Sequence, residues 1–274
     1  MAQSPLITIM QRAARKAGSR LARDFGEVEN LQISKKGPAD FVTHADVKAE
    51  SIIREELTLA RPDFGFLMEE SGETEGKDKT QRWIVDPLDG TINFMHGIPH
   101  FAISIALEQH GQIVAGLIYD PANGNMFHAE KGRGAYLNDR RLRVSARSQL
   151  IDAVIATGIP HHGRHGQPEF LEILGHIMPK VSGIRRFGSA ALDLAYVAAG
   201  RCDAFWETGL APWDVAAGII LVREAGGFVT ELDGREHTLN SVGILASNQG
   251  LHAILTKEIG GAARKAGAAR KAAG

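Results

Sequence analysis

After Pro5 the apolar residues fall at Leu6, Met10, Ala13, Ala17, Leu21 and Phe25. That three- and four-residue spacing is one face of a helix, and Gly26 ends it. A second helix is predicted from Thr43, read as its N-cap, through Ala45, Ala49, Ile52, Ile53 and Leu57, which places Asp46 in the first turn. Phe64–Met68 and Arg82–Val85 read as short buried strands, and each runs straight into acids: Glu69-Glu70 after the first, Asp86 after the second. From Phe101 to Leu137 the pattern predicts an antiparallel meander, with strands at Phe101–Glu108, Ile113–Tyr119, Met126–Glu130 and Ala135–Leu137 and a turn at His110-Gly111. Beyond it, strands at Ala153–Thr157, Ile184–Arg186, Asp203–Trp206, Gly227–Glu231 and Val242–Ala246 alternate with helices at Glu169–Met178, Ala190–Ala199, Val215–Ala225 and Leu251–Ile259. The expected fold class is therefore mixed, an α+β first part and an α/β second part.

The seam is expected around Val144–Leu150, polar and strandless, dividing the chain into residues 1–147 and 148–259 as closely packed parts. Residues 260–274 repeat A-A-R-K, with four cations, no acid and no large apolar side chain, and are expected to be disordered. With 44% apolar and 23% charged residues among 274, the bulk of the chain is globular, neither disordered nor collagen-like. Thirty-one Lys and Arg against 32 Asp and Glu leave a net charge of −1, which by itself names neither nucleic acid nor membrane as partner. The single cysteine, Cys202, excludes an internal disulfide and a Cys-rich metal site. With no signal-like apolar core after Met1 and no run of 18 apolar residues, the reading is cytoplasmic, with no membrane partner.

The densest chemical signal is D-P-L-D-G-T at Asp86–Thr91. Pro87 fixes its own φ and biases Asp86 toward extended backbone, a constrained exit that aims Asp86 and Asp89 into one space, where the Leu88 carbonyl can join them. Gly90 lets backbone approach a ligand, and a helix starting near Thr91 would turn free N–H groups toward a phosphate. Asp, Pro and Gly in this order also build ordinary surface turns, so the six residues alone leave both readings open. Glu69, Asp86, Asp89 and Asp214 are hard oxygen donors of the kind Mg²⁺ selects. Two carboxylates 4 Å apart repel by about 4 kcal/mol at an effective dielectric near 20, so gathering four calls for cations. Such ions would polarise a phosphoryl group and generate hydroxide, the chemistry of a metal-assisted phosphoester hydrolase.

Three further segments decide between the readings: D-F-V-T-H-A-D (Asp40–Asp46), M-E-E-S (Met68–Ser71) and P-W-D-V-A-A-G (Pro212–Gly218), followed by E-A-G-G at Glu224–Gly227. Together with W-I-V-D-P-L-D-G-T-I-N-F (Trp83–Phe94), in this order, the chain resembles the inositol monophosphatase family of Mg²⁺-dependent, lithium-sensitive sugar phosphatases from about Met10 to Gly250. Arg185–Arg201 is most similar to its bacterial branch.

The resemblance implies a layered αβαβα sandwich, a homodimer, and two or three Mg²⁺ per active site. It makes Glu69, Asp86 and the Leu88 carbonyl ligands of one metal, and Asp86, Asp89 and Asp214 ligands of a second. Glu69 would also touch a weaker third metal that helps supply the attacking water, which Thr91 and Asp46 orient. The Gly90 and Thr91 amides would cradle phosphate. Gly188, Ser189, Ala190, Glu207 and Asp214 would line the pocket for a phosphorylated cyclitol or sugar. Glu70 would support the metal shell, and Lys36 would lie on a loop approaching the metals, although Lys35-Lys36 also reads as a solvated basic loop.

The implied reaction is hydrolysis of myo-inositol monophosphate by in-line attack of metal-activated water. Fructose 1,6-bisphosphate, histidinol phosphate and nucleotide phosphates are the alternative substrates. A regulatory, RNA-associated role through Arg185, Arg186 and the basic tail is the alternative of another class. His161, His162 and His165 lack the spacing of a zinc motif, His96 and His100 read as turn residues, and Gly132-Arg133-Gly134 lacks the rest of a dinucleotide fingerprint.

Overall fold

The computed structural model describes residues 4–25, 33–37, 40–160 and 165–273; the side chains of 33–43 and 265–273 lie outside the description. Helix α1 (Pro5–Phe25) buries Met10, Ala13, Ala17 and Leu21 of the predicted stripe, while Leu6 and Phe25 at its ends are half-buried and Ile7, outside it, is buried. Its small alanines let α2 (His44–Ala60) approach through Ala45, Ala49, Ile53 and Leu57. Between them runs the hairpin of β1 (Ile33–Gly37) and β2 (Asp40–Thr43), which the polar sequence did not announce. The Thr43 side chain, expected as a cap, and that of Lys36 lie outside the described residues.

Both helices cover one face of an eight-stranded sheet. It is built from β3 (Phe64–Met68), β4 (Gly72–Thr74), β5 (Asp78–Asp89), β6 (Ala102–Gln109), β7 (Gln112–Asp120), β8 (Asn125–Glu130), β9 (Gly134–Leu137) and β10 (Arg140–Arg141), in the order β10-β9-β8-β7-β6-β5-β3-β4. The expected meander is its antiparallel half, β6 to β9. Only β3 and β5 run parallel in this sheet, and one turn of helix, α3 (Thr91–Met95), follows β5 directly.

The second sheet holds β11 (Val154–Thr157), β12 (Gly183–Arg185), β13 (Ala204–Thr208), β14 (Phe228–Thr230) and β15 (Gly243–Ser247) in the order β12-β11-β13-β15-β14. It is parallel through β12-β11-β13 and antiparallel beyond. Helices α5 (Ala190–Ala198) and α6 (Pro212–Glu224) fill the space between the sheets, while α4 (Gln167–Ile177) and α7 (Gln249–Ala273) pack together on the far side. Three apolar clusters match these contacts: α1 and α2 with the large sheet, α5 and α6 between the sheets, and α4 and α7 with the small sheet. The layers are α, β, α, β, α, as expected.

The first sheet ends at Arg141 and the second begins at Val154. The connection is anchored by the buried Asp203 carboxylate, which accepts from the Ser145 hydroxyl, the Arg147 guanidinium and the Val154 amide. One expectation fails: α7 continues to Ala273, through the segment expected to be disordered. Repetition misled there, because Ala, Lys and Arg are among the strongest helix formers whatever their complexity. Among the described residues no helix is long and apolar enough to cross a membrane.

Candidate active site

Strand register brings the first acids together. Met68 pairs with Val85 across parallel β3 and β5, and the Glu69 amide donates to the Val85 carbonyl at 3.2 Å, so Glu69 leaves its strand beside Asp86. On the other side Asp86 pairs with Ser104 of β6. The pairing is irregular between Asp86 and Asp89, where Pro87 has no N–H to give to the ladder. The Leu88 amide donates to Asp86 Oδ1 at 2.8 Å and closes the irregular stretch locally. The expected turn is therefore a distortion within β5, and the strand runs on to Asp89.

Asp89 joins the two halves of the chain. Its Oδ2 accepts the Ser189 hydroxyl at 2.6 Å and the Ala191 amide at 2.7 Å, both at the start of α5. Gly90 is left-handed (φ 97°), and a Cβ there would lie 3.1 Å from the His100 carbonyl oxygen and 3.2 Å from that of Gly188. That crowding brings the Gly188-Ser189 turn against the motif, with Ala190 following as the first residue of α5. The buried Asn93 amide fixes the same junction, donating to the carbonyls of His100 and Phe187, each at 2.8 Å.

Asp214 sits in the first turn of α6 after Pro212, and its Oδ2 accepts the Ala211 amide at 2.8 Å. It caps its own helix, a role compatible with ligation at a helix start. The buried Ser104 hydroxyl donates to the Trp213 carbonyl at 3.1 Å, fastening the start of α6 to the strand that flanks Asp86. Thr91 Oγ1 lies 3.3 Å from Asp46 Oδ1 and 3.1 Å from the Leu88 carbonyl oxygen. The expected Thr91–Asp46 pair is present, with Asp46 buried in the first turn of α2. One helical turn on, Glu50 accepts the Glu70 amide at 2.9 Å and steadies the chain beyond Glu69.

Burial, then the charges of Glu69, Asp89 and Asp214, and a hydrogen bond with Glu69 push the Asp86 carboxyl well above the usual carboxylate range. The four acids expected to act together are thus within electrostatic reach. Their chemistry fits a hard divalent cation, which would relieve that repulsion. Among the described residues, no three His, Cys, Asp or Glu side chains converge tightly enough to outline an ion position by themselves.

Glu207, at the far end of β13, lies across from Gly158. His100 contributes its carbonyl rather than its ring, which stacks half-buried against Phe187 and is held below the usual histidine range by desolvation. His165 is exposed just ahead of α4, while His161, His162 and Arg164 lie outside the described residues. Sequence reasoning missed Ser104, Glu50 and the tie made by Asn93. Glu50 had a visible signal, an acid within the apolar stripe of Ala45, Ala49 and Ile53.

Residues 2–265 match the inositol monophosphatase family. The chain belongs to that family. It is 59% identical over 259 residues to an inositol-1-monophosphatase of Mesorhizobium japonicum, covering 94% of this chain and 97% of the relative. It is 44% identical over 244 residues to the Nus factor SuhB of Escherichia coli, covering 89% and 91%. Among solved structures, the extragenic suppressor protein suhB of Bartonella henselae superposes with a TM-score of 0.91 at 58% identity, over 93% of this chain and 98% of its own. An inositol monophosphate-bound structure of SaIMPase-II gives 0.79 at 26% identity, over 97% and 99%. As a member of the inositol monophosphatase family, this chain is a phosphoric monoester hydrolase, an enzyme of a metal-dependent family.

Proposed function

We propose that the chain hydrolyses myo-inositol monophosphate to myo-inositol and phosphate with Mg²⁺, where β5, α2, α5 and α6 meet. What supports this is membership of the inositol monophosphatase family together with the placing of Glu69, Asp86, Asp89 and Asp214 within electrostatic reach of one another, beside the Thr91–Asp46 pair. Glu69, Asp86 and the Leu88 carbonyl would hold one ion, Asp86, Asp89 and Asp214 a second, with Glu69 reaching a third. Bound Mg²⁺ supplies Lewis-acid polarisation of the phosphoryl group, acidification of water and charge neutralisation at the leaving oxygen.

The protein groups divide the remaining work. The Thr91 hydroxyl gives its proton to Asp46 Oδ1 while its oxygen accepts one from the attacking water, so Asp46 is the proton's destination. Glu69 orients the same water. The Gly90 and Thr91 amides donate to phosphate oxygens. As the new P–O bond forms, the ester P–O bond opposite breaks, and the alcohol oxygen takes a proton from solvent. Glu207, Ala190 and the Gly188-Ser189 turn bind the hydroxyls of the leaving alcohol. The bound inositol monophosphate of SaIMPase-II and the name of the Mesorhizobium relative support the choice of substrate.

A phosphate-release panel tests the reading. Release from inositol monophosphate should depend on Mg²⁺, fall with Li⁺, and exceed release from fructose 1,6-bisphosphate, histidinol phosphate and a nucleotide phosphate. Release that persists under a chelator would overturn the metal reading, and preference for another ester the substrate. We also read the enzyme as a cytoplasmic homodimer. Light scattering at micromolar concentration should give twice the chain mass and cell fractionation should recover it with the cytosol; a monomer alone, or recovery with membranes, refutes the respective part.

A further inference from the structure

The niche that holds Glu207 is built around a missing side chain. Thr157 and Trp206 pair across parallel β11 and β13, and the Thr157 hydroxyl donates to the Trp206 carbonyl at 2.8 Å, so the next residues, Gly158 and Glu207, face each other. A Cβ on Gly158 would lie 2.0 Å from Glu207 Cδ and 2.1 Å from each carboxylate oxygen. Gly158 does not have a positive φ, so its backbone accepts any residue. What the glycine provides is room, and the room is filled by the charged end of Glu207.

A second acid lies within electrostatic reach of this niche. Asp193, in the first turn of α5, is 1% exposed, and its Oδ1 has no hydrogen-bond partner among the described residues. Glu207 and Asp89 lie close enough to act on its charge, opposed by Arg186. A buried carboxylate oxygen left without a donor is costly, and burial accordingly holds the Asp193 carboxyl well above the usual carboxylate range. The Glu207 carboxylate offers acceptors, so the ligand that fits brings O–H donors, and a second anionic group would be repelled.

We propose that Gly158 is a specificity-determining position: by lacking a Cβ it seats the Glu207 carboxylate, and that acid selects a monoester whose alcohol part presents hydroxyl donors and no second anion. Gly158 acts through Glu207 and is a positioning residue. The inference rests on the proposed pocket and deepens it, since it favours an inositol monophosphate over a sugar bisphosphate.

Gly158→Ala should raise KM for inositol monophosphate by roughly ten-fold or more, the worth of a hydrogen bond to a charged group, with kcat within about two-fold. On phenyl phosphate, which has no hydroxyls to bind, kcat/KM should change by less than about two-fold, and the preference for inositol monophosphate over fructose 1,6-bisphosphate should shrink. Glu207→Ala should likewise raise KM for inositol monophosphate, and the double variant should lose no more than either single one, because both remove one interaction. An unchanged KM in Gly158→Ala, equal losses on phenyl phosphate, or additive losses in the double variant would each overturn the inference. A wild-type enzyme that turns over phenyl phosphate as well as inositol monophosphate removes it too, while leaving the phosphatase reading standing. Absence of any Mg²⁺-dependent release removes the proposed function instead.

Discussion

Asp89→Asn should lower Mg²⁺-dependent phosphate release by about a thousand-fold while moving the melting temperature by no more than about 2 °C. The two effects separate because the carboxylate has two tasks. One oxygen accepts the Ser189 hydroxyl and the Ala191 amide and so clamps the start of α5 to the end of β5. An asparagine carbonyl can accept the same two bonds, so the clamp survives. What asparagine cannot supply is the negative charge that, with Asp86 and Asp214, would hold a cation.

Asp89→Ala removes both the charge and the clamp. It leaves the Ser189 and Ala191 donors without their acceptor, at about 1–3 kcal/mol each, and should melt several degrees below Asp89→Asn. Phosphate-release kinetics and thermal melts of the two variants check this directly. Full activity in Asp89→Asn would refute the catalytic assignment. Equal melting temperatures for the two variants would refute the clamp.

What could be read from the sequence follows from what short-range pattern encodes. The α1 stripe was legible because burial repeats every three or four residues, and the meander because its strands are short apolar runs, buried almost continuously, set off by polar turns. The acids were legible because each of Glu69 and Asp86 ends an apolar run, and Asp214 follows a Pro-Trp helix start. The ties between distant segments were not. Ser104 bonds Trp213, and Asn93 bonds Phe187. Nothing near either polar residue reveals a partner about a hundred positions away. Gly158 was equally silent, since its role is an absence that matters only once Glu207 stands opposite. The strand at Arg82–Val85 was read too short because its first residues, Asp78 to Arg82, are polar and largely solvent-facing, and so lack the apolar signal of the buried half.

Gly116→Val should be among the most damaging substitutions outside the acids, destabilising the fold by about 3 kcal/mol or more and reducing activity even where the protein remains folded. On β7, a Cβ at Gly116 would lie 2.6 Å from Ile220 Cγ2, 2.8 Å from the Ala217 carbonyl oxygen and 2.9 Å from Ala217 Cα. Two of those atoms are helix backbone, which no rotamer change can withdraw. Helix α6 cannot retreat either, because a Cβ at Gly218 would lie 2.4 to 2.5 Å from Leu194 Cδ1 and Cβ on α5. The helix is wedged between the large sheet and α5, and the same helix carries Asp214 and the Trp213 carbonyl that Ser104 holds. Displacing it therefore reaches the site through rigid packing. Gly175→Ala on α4 is the control: nothing lies within 4 Å of its added Cβ, and helix propensity predicts a gain of up to about 1 kcal/mol. Chemical denaturation of both variants, with kcat/KM measured well below each midpoint, decides it. A Gly116→Val enzyme as stable and active as wild type would show that α6 has slack, and that the position of Asp214 does not depend on this contact.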